Sequence, residues 1–402
     1  MTSSFVLSEF HTILVSALEV ASSAVYVLAL GVSPLVLFYV VGAIYSAYFH
    51  PLSKYPGPKI AAASFLPLWY RRYTGDYNQW ITSLHNRYGS IVRFSPDGLS
   101  FISAPAWKDI YGHSTGGKIS NLVDPRMYGS YENGEDDITS IRDNARHGQV
   151  RKLFSHAFSP KAIKLQAPLI QKYVEKLIHR LRMTAESSLT GEVNICNMFT
   201  RTTFDIMGDL AFGESLGLLE NNNYAPWIDA MFGAVKAETI LDIVAAYPSL
   251  RNLLGYFTPK CWTAQEEEHY AFSSELIKKR YERGRDQPDI WNFVLTKGKD
   301  VLSLNEMHNN ASAFMIGGTE TTATLLSGLT YLLLTHPDKL AKVVTEVREL
   351  DDEKKLDFAI LSSLPYLNAC FEEALRVYPP ASEGFPRVIP QGGNTVAGEY
   401  LP

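Results

Sequence analysis

Residues 304–335 constrain the architecture more than any other stretch of the chain. They open on Ser303-x-x-Glu306, a capping-box pattern in which the two side chains each accept a backbone N–H left over at a helix start. Helical spacing continues to Thr335, where His336-Pro337 ends it. At 1.5 Å per residue such a helix is roughly 45 Å long, enough to cross a whole domain. Most of it is apolar on all sides, as a buried central helix should be. Its middle departs from that rule with Gly317-Gly318-Thr319-Glu320-Thr321-Thr322. Each glycine loses about 1 kcal/mol of helix propensity against alanine. A buried Glu320 is penalised unless it is paired or protonated. Local inconsistency of this kind marks function.

Two readings of this segment are open. In one, small residues let the helix pack closely against a neighbour while the threonines bond back to carbonyls. In the other, paired glycines clear space for a flat cofactor to approach the backbone, and a hydroxyl one residue from a carboxylate relays protons inward.

The rest of the chain predicts a mainly α fold with small β elements. Helical patterns cover 80–88, 161–182, 198–212, 270–283, 337–350 and 365–378. Residues 90–95 alternate as a strand, Pro96-Asp97-Gly98 turns it, and 99–103 form the hairpin partner. The acidic segment 132–137 reads as a solvated surface loop. Short strand-like pieces and glycine turns follow Pro386, and no internal repeat is present.

With 37 basic and 42 acidic residues and no long basic block, the chain does not suit nucleic acid. Cys196, Cys261 and Cys370 are far apart and form neither a disulfide framework nor a zinc pattern, so no protein metal site is expected. From Val20 to Ser53 there is no charged side chain, and roughly 20 apolar residues span a bilayer. Only Glu9 and Glu19 carry charge before the run, whereas Lys54, Lys59, Arg71 and Arg72 follow it. The positive-inside rule then predicts a single-pass anchor contacting membrane lipid, with the body in the cytosol. A cleaved signal peptide is the rival, but it would carry a basic start and a shorter core. Tyr55-Pro56-Gly57-Pro58-Lys59 makes a stiff hinge. The expected organisation is an anchor at 1–50, a hinge at 51–64 and a body at 65–402.

Two further pairs carry chemistry. Glu373 and Arg376, in Glu373-Ala374-Leu375-Arg376 before Pro379-Pro380, share a helix face at i, i+3. Alone they read as a surface ion pair worth little. His147 and Arg151 stand at i, i+4 and alone read as a basic surface face.

Together these motifs resemble the cytochrome P450 family of heme-thiolate monooxygenases, filamentous-fungal type. The segments around His85-Asn86-Arg87-Tyr88-Gly89 and Thr203-Phe204-Asp205-Ile206-Met207-Gly208 fit it too, so the resemblance covers essentially the full length. It implies heme b, an apolar small-molecule substrate, an NADPH-dependent reductase as electron donor, and the endoplasmic reticulum as location. It assigns Thr321 the hydroxyl that hydrogen-bonds bound dioxygen and Glu320 the acid of the relay. Gly317 and Gly318 would lie against the cofactor, although the family often has alanine where Gly317 stands. His147 and Arg151 would bind heme propionates, because guanidinium pairs well with carboxylate, and Arg387 would join them. Glu373 and Arg376 would be a buried pair supporting the core behind the heme.

The family's iron-ligating cysteine follows downstream in a glycine-rich loop, and none of the three cysteines stands there. The expectation is therefore an oxygenase C-terminally truncated before its thiolate ligand. The alternative is an inactive membrane-bound paralogue with at most a binding role. A helical transporter fragment is disfavoured by the single apolar run.

Overall fold

The computed structural model describes residues 33–34, 36–112, 120–126, 133–187, 190–220, 260–283, 289–295, 302–350 and 358–402. The side chains of 260–269 and 272 lie outside that description, Cys261 among them. The chain divides into two units. One comprises 1–113 with 391–402, and the other comprises 114–390.

In the first unit, helices α1 (Lys59–Ala63), α2 (Leu66–Thr74) and α3 (Tyr77–Tyr88) lead into the antiparallel hairpin β1 (Ile91–Arg93) and β2 (Leu99–Phe101). Helix α3 stops at Gly89, whose φ of +99° few side chains tolerate. Helix α4 (Ala104–Tyr111) follows, capped by the Ser103 hydroxyl. The Pro-Gly-Pro hinge is pinned to β1. Arg93 donates its backbone N–H to the Pro56 carbonyl at 2.8 Å, and the Arg93 carbonyl oxygen occupies the place a Cβ on Gly57 would need. The buried Arg93 guanidinium donates to the Ser46 carbonyl at 2.9 Å, tying down the end of the helical residues 36–48.

That helical piece corrects the expectation of a single-pass membrane anchor in the endoplasmic reticulum. Among the described residues, no helix is long and apolar enough to cross a membrane. Residues 33–34 and 36–48 are helical, and Pro51 follows the last of them. Residues 1–32, the start of the expected anchor, lie outside the described residues.

The second unit is mainly helical and forms around one long helix. It contains β3 (Leu122–Val123), α5 (Asn144–Ser155), α6 (Pro160–Ser187), α7 (Ile195–Phe212), α8 (Lys260–Arg283), α9 (Ile290–Leu295), α10 (Leu304–Thr335), α11 (Pro337–Arg348), α12 (Phe358–Ser363), α13 (Pro365–Val377) and β4 (Arg387–Val388). Helix α10 has the predicted bounds, and both hydrogen bonds of the Ser303–Glu306 capping box are present. Helix α7 begins earlier than the apolar periodicity indicates because the Asn194 side chain caps it through the Asn197 N–H. Helix α10 packs chiefly against α7, with α8, α11 and α13 also touching it. Phe154, Phe204, Phe212, Trp291, Met307, Ala311 and Met315 form the core between these helices. A buried ion pair braces it: the Arg280 guanidinium donates to both Asp289 oxygens, one at 2.8 Å, with side-chain exposures of 0% and 1%.

The acidic segment 132–137 does not remain a simple solvated loop. Asp137 is buried, and its Oδ1 accepts from the Thr139 N–H and hydroxyl and from the Ser140 N–H at 2.6, 2.6 and 2.9 Å. Three local donors replace the water that the charge loses. Separately, β5 (Asn394–Val396) and β6 (Glu399–Leu401) form an antiparallel hairpin in the first unit.

Candidate active site

The candidate site lies on α10, where the buried character of the helix gives out. Met307, Ala311, Met315 and Thr319 are buried along one side. Ile316, Gly317 and Thr321 are exposed, although they sit at the middle of a helix packed by others at both ends. A Cβ built on Gly317 meets nothing within 4 Å, so this side of the helix faces open space. Gly318 points elsewhere. A Cβ there would lie 2.5 Å from the Met207 sulfur and 2.9 Å from its terminal methyl, on α7. The two adjacent glycines thus divide the two sequence readings between them: Gly317 borders the open face, and Gly318 permits close helix packing.

This division has a measurable consequence. Gly317→Ala should leave stability unchanged or raise it by up to about 1 kcal/mol through helix propensity. Gly318→Ala should lose that benefit by displacing Met207. Urea midpoints of the two variants test this, and equal stabilisation in both would contradict the assignment.

Threonine hydroxyls on this helix bond back to carbonyls one turn earlier. Thr319 donates to the Met315 carbonyl and Thr321 to the Gly317 carbonyl, each at 2.6 Å. The Thr321 oxygen therefore presents lone pairs to the open face while its hydrogen is held on the helix. Glu320 is half-buried, and burial pushes its carboxyl above the ordinary carboxylate range. No hydrogen bond to it is recorded among the described residues. It is a carboxyl predisposed to carry a proton, next to a hydroxyl that can accept or donate one.

His147 and Arg151 lie on α5, and Arg387 lies on β4. The antiparallel pairing of β3 with β4 matches Val123 to Arg387 and fixes where Arg387 sits. The charges of Arg151 and Arg387 both act on His147. Burial, first, and then the positive fields of Arg151 and Arg387 hold His147 below its usual range. His147 is consequently neutral at neutral pH and available as a hydrogen-bond donor. No carboxylate pairs with Arg151 among the described residues. Two guanidiniums and an imidazole held together suit an acidic group brought by a ligand. The resemblance to cytochromes P450 implies heme, and these residues would suit it on two counts: an open, side-chain-free strip at Gly317, and cations for its propionates.

Glu373 and Arg376 form the predicted i, i+3 pair on α13, bidentate at 2.7 Å for both bonds. Their burial is not as expected. The side chains are 59% and 70% exposed, so this is a solvated ion pair here and contributes little to stability. Among the described residues no cluster of His, Cys, Asp and Glu could hold a metal ion.

Sequence reasoning missed a buried polar network in the first half of α10. Ser273 lies 2.6 Å from His308 Nε2, His308 Nδ1 lies 3.1 Å from Asn309 Oδ1, and Asn310 Oδ1 accepts the Ile138 N–H at 2.9 Å. The signal was present: His308-Asn309-Asn310 is a polar run within a helix otherwise apolar on all sides.

Comparison with known proteins gives matches along most of the chain. The profile of the cytochrome P450 family matches residues 56–402. The cytochrome P450 monooxygenase efuB of Hormonema carpetanum is 41% identical over 373 residues, 91% of this chain and 74% of that protein. The cytochrome P450 monooxygenase FUM2 of Gibberella moniliformis is 42% identical over 364 residues, 89% of this chain and 77% of that protein. Averantin hydroxylase of Dothistroma septosporum is 36% identical over 383 residues, 94% of this chain and 71% of that protein.

Proposed function

The chain belongs to the cytochrome P450 family, and we propose that it is a monooxygenase inserting one oxygen atom into an apolar small molecule in fungal secondary-metabolite biosynthesis. The observation that carries this reading is the open face of α10, with the Glu320–Thr321 pair on the same helix. Fungal monooxygenases among its relatives support the substrate class, and an NADPH-dependent reductase would supply electrons. Heme, when bound, supplies the oxygen activation.

The protein's own part is binding, orientation and proton handling. Arg151, Arg387 and neutral His147 hold the acidic edge of the cofactor. Gly317 admits its flat body against the helix. Ile316 offers apolar surface to the substrate and excludes water. Glu320 holds a proton at its carboxyl oxygen, and Thr321 Oγ1 receives and passes it across the open face. To donate outward, the Thr321 hydroxyl must release the Gly317 carbonyl, which costs one intrahelical side-chain bond and no backbone rearrangement.

The relay has a stability cost that can be measured. Because the folded-state pKa of Glu320 is raised, the folded chain favours its protonated form. Stability therefore falls as pH rises from the ordinary value of 4.5 through the raised one. Glu320→Gln should abolish this loss while slowing oxidation. Denaturation midpoints across that pH range give the result, and an unchanged profile would remove Glu320 from the relay.

We also propose that neither Cys196 nor Cys370 supplies an axial thiolate. Cys196 is exposed in the first turn of α7. Cys370 lies on α13, where burial and then the Glu346 carboxylate push its thiol up, opposite to what a metal-binding thiolate needs. Neither Cys196→Ala nor Cys370→Ala should alter the reduced, carbon-monoxide-bound difference spectrum of the heme-loaded protein. Product carrying one added oxygen atom should form when reductase and NADPH are supplied. A thiolate-type Soret band that disappears with Cys370→Ala would refute the cysteine assignment. A thiolate-ligated form that oxidises no apolar compound would refute the functional one.

A further inference from the structure

The loop before α5 is fastened to α10 by an unusual contact. Asn133 donates its side-chain N–H to Asn309 Oδ1 at 2.9 Å, and Asn309 donates back to Asn133 Oδ1 at 3.0 Å. The two amides pair reciprocally, as two bases do. The second Asn309 N–H reaches the Glu135 carbonyl at 2.9 Å. Asn133 Oδ1 also accepts the Glu135 N–H at 3.0 Å, closing a turn in which Gly134 adopts a φ of +75°. On the helix side, the neutral His308 ring completes the set. Its Nδ1–H donates to Asn309 Oδ1 at 3.1 Å while Nε2 accepts from the Ser273 hydroxyl at 2.6 Å on α8. Every polar atom of the Asn309 amide is used, and the residue is fully buried.

Two further bonds run in parallel. The Ile138 N–H reaches Asn310 Oδ1 at 2.9 Å, and the Arg146 guanidinium, on α5 itself, pairs with Glu306 at the start of α10. Ten residues after Asn133 the chain enters α5, which carries His147 and Arg151. The geometry also ties this contact to the open face. Ile316 and Glu320 stand at i+7 and i+11 from Asn309, each within about 20° of it around the helix axis. The loop thus seats on the strip of α10 that, farther along, carries Ile316 and Glu320, beside the open face at Gly317 and Thr321.

We infer that Asn309 is a positioning residue: its reciprocal amide pair with Asn133 sets the height of α5, and with it the His147–Arg151 cations, against the open face of α10. This rests on the reading of those cations as the binding site for the cofactor's acidic groups. The requirement is specific. An amide is the side chain that can accept from His308 and Asn133 while donating to Asn133 and Glu135. A carboxylate in its place retains the acceptor and turns the donor into a second acceptor facing two oxygens.

The test compares wild type, Asn309→Leu, Asn309→Asp and Arg151→Ala, each as the full chain. The readouts are amide hydrogen exchange across residues 133–152 and the dissociation constant for hemin. Asn309→Leu should speed exchange in 133–147 by about tenfold or more and weaken hemin binding in the same sense as Arg151→Ala. Arg151→Ala should weaken hemin binding without loosening the loop. Asn309→Asp keeps the side-chain shape, so it guards against simple misfolding. Its hemin affinity should fall as pH rises and the carboxyl ionises, more steeply than that of wild type, in which only the His147 cluster titrates. The titratable residues around it are His308 on α10, Tyr270 on α8, which Asn133 also reaches at 3.4 Å, and Glu135 in the loop, whose backbone carbonyl it bonds, and all are shared by both proteins. Unchanged exchange in Asn309→Leu overturns the inference. So does a loosened loop with normal hemin affinity when Arg151→Ala is weakened. Unchanged hemin affinity in both Asn309→Leu and Arg151→Ala overturns the reading of the cationic cluster, and this inference with it.

Discussion

Thr321→Ala in the thiolate-ligated, heme-loaded enzyme is expected to lower the ratio of product formed to NADPH consumed, with the difference appearing as hydrogen peroxide or water. The side chain is exposed on the open face of α10, and its hydroxyl is held 2.6 Å from the Gly317 carbonyl. Alanine keeps the helix and removes the one hydroxyl placed both beside the Glu320 carboxyl and on that face. Positioned acid–base groups contribute about 100-fold or more to a rate. Substrate oxidation should fall by that order while NADPH oxidation continues. Thr321→Ser should retain most of the coupling, because it keeps the oxygen and loses only a methyl. Normal coupling in Thr321→Ala would show that protons reach the site by another path.

Asp289→Ala is expected to be among the most destabilising single substitutions in the chain, at roughly 3–5 kcal/mol. Arg280 and Asp289 are almost wholly sequestered, and their bidentate contact lies beside Gly213, where a Cβ would collide with the Arg280 side chain at 2.7 Å. Deleting the carboxylate leaves a guanidinium in the core without its counter-charge. It also removes the acceptor of the Asn292 N–H at 2.8 Å, and with it a tie at the start of α9. Replacing both partners with apolar residues, Arg280→Met with Asp289→Leu, should recover much of the loss, because the desolvation cost disappears with the charges. Urea unfolding of the single and double variants measures this. A small loss in Asp289→Ala would mean that water reaches Arg280.

Much of the site was legible because its signals are local. The capping box at Ser303–Glu306 and the His336-Pro337 stop bounded α10, and both are backbone chemistry within a few residues. The glycine pair was conspicuous because helix propensity disfavours it. Propensity is blind to direction, however, and only the Met207 contact separates Gly318 from Gly317. Arg387 could be linked to His147 and Arg151 only by resemblance, since the pairing of β3 with β4 joins residues more than 260 positions apart. The Glu373–Arg376 pair was legible as an i, i+3 contact, but spacing does not report burial, and the pair is exposed. The membrane anchor was drawn from the uncharged run and its basic flank. An uncharged run measures length, whereas the described helix ends where Pro51 and the Arg93 contact to Ser46 end it. The polar run at 308–310 was overlooked because its partners, Asn133, Ile138 and Ser273, lie far away in sequence.

The central claim is that α5 and β4 supply the cations, and α10 the open face, of one cofactor site. Hemin titration of the purified chain against its Arg151→Ala/Arg387→Ala variant tests it most directly. Each charge-assisted bond to a propionate is worth about 1.5–3 kcal/mol, and 1.4 kcal/mol is tenfold in affinity. The account predicts a dissociation constant raised by at least about tenfold in the variant, with the folded structure retained. Equal hemin affinity in the two proteins would contradict it.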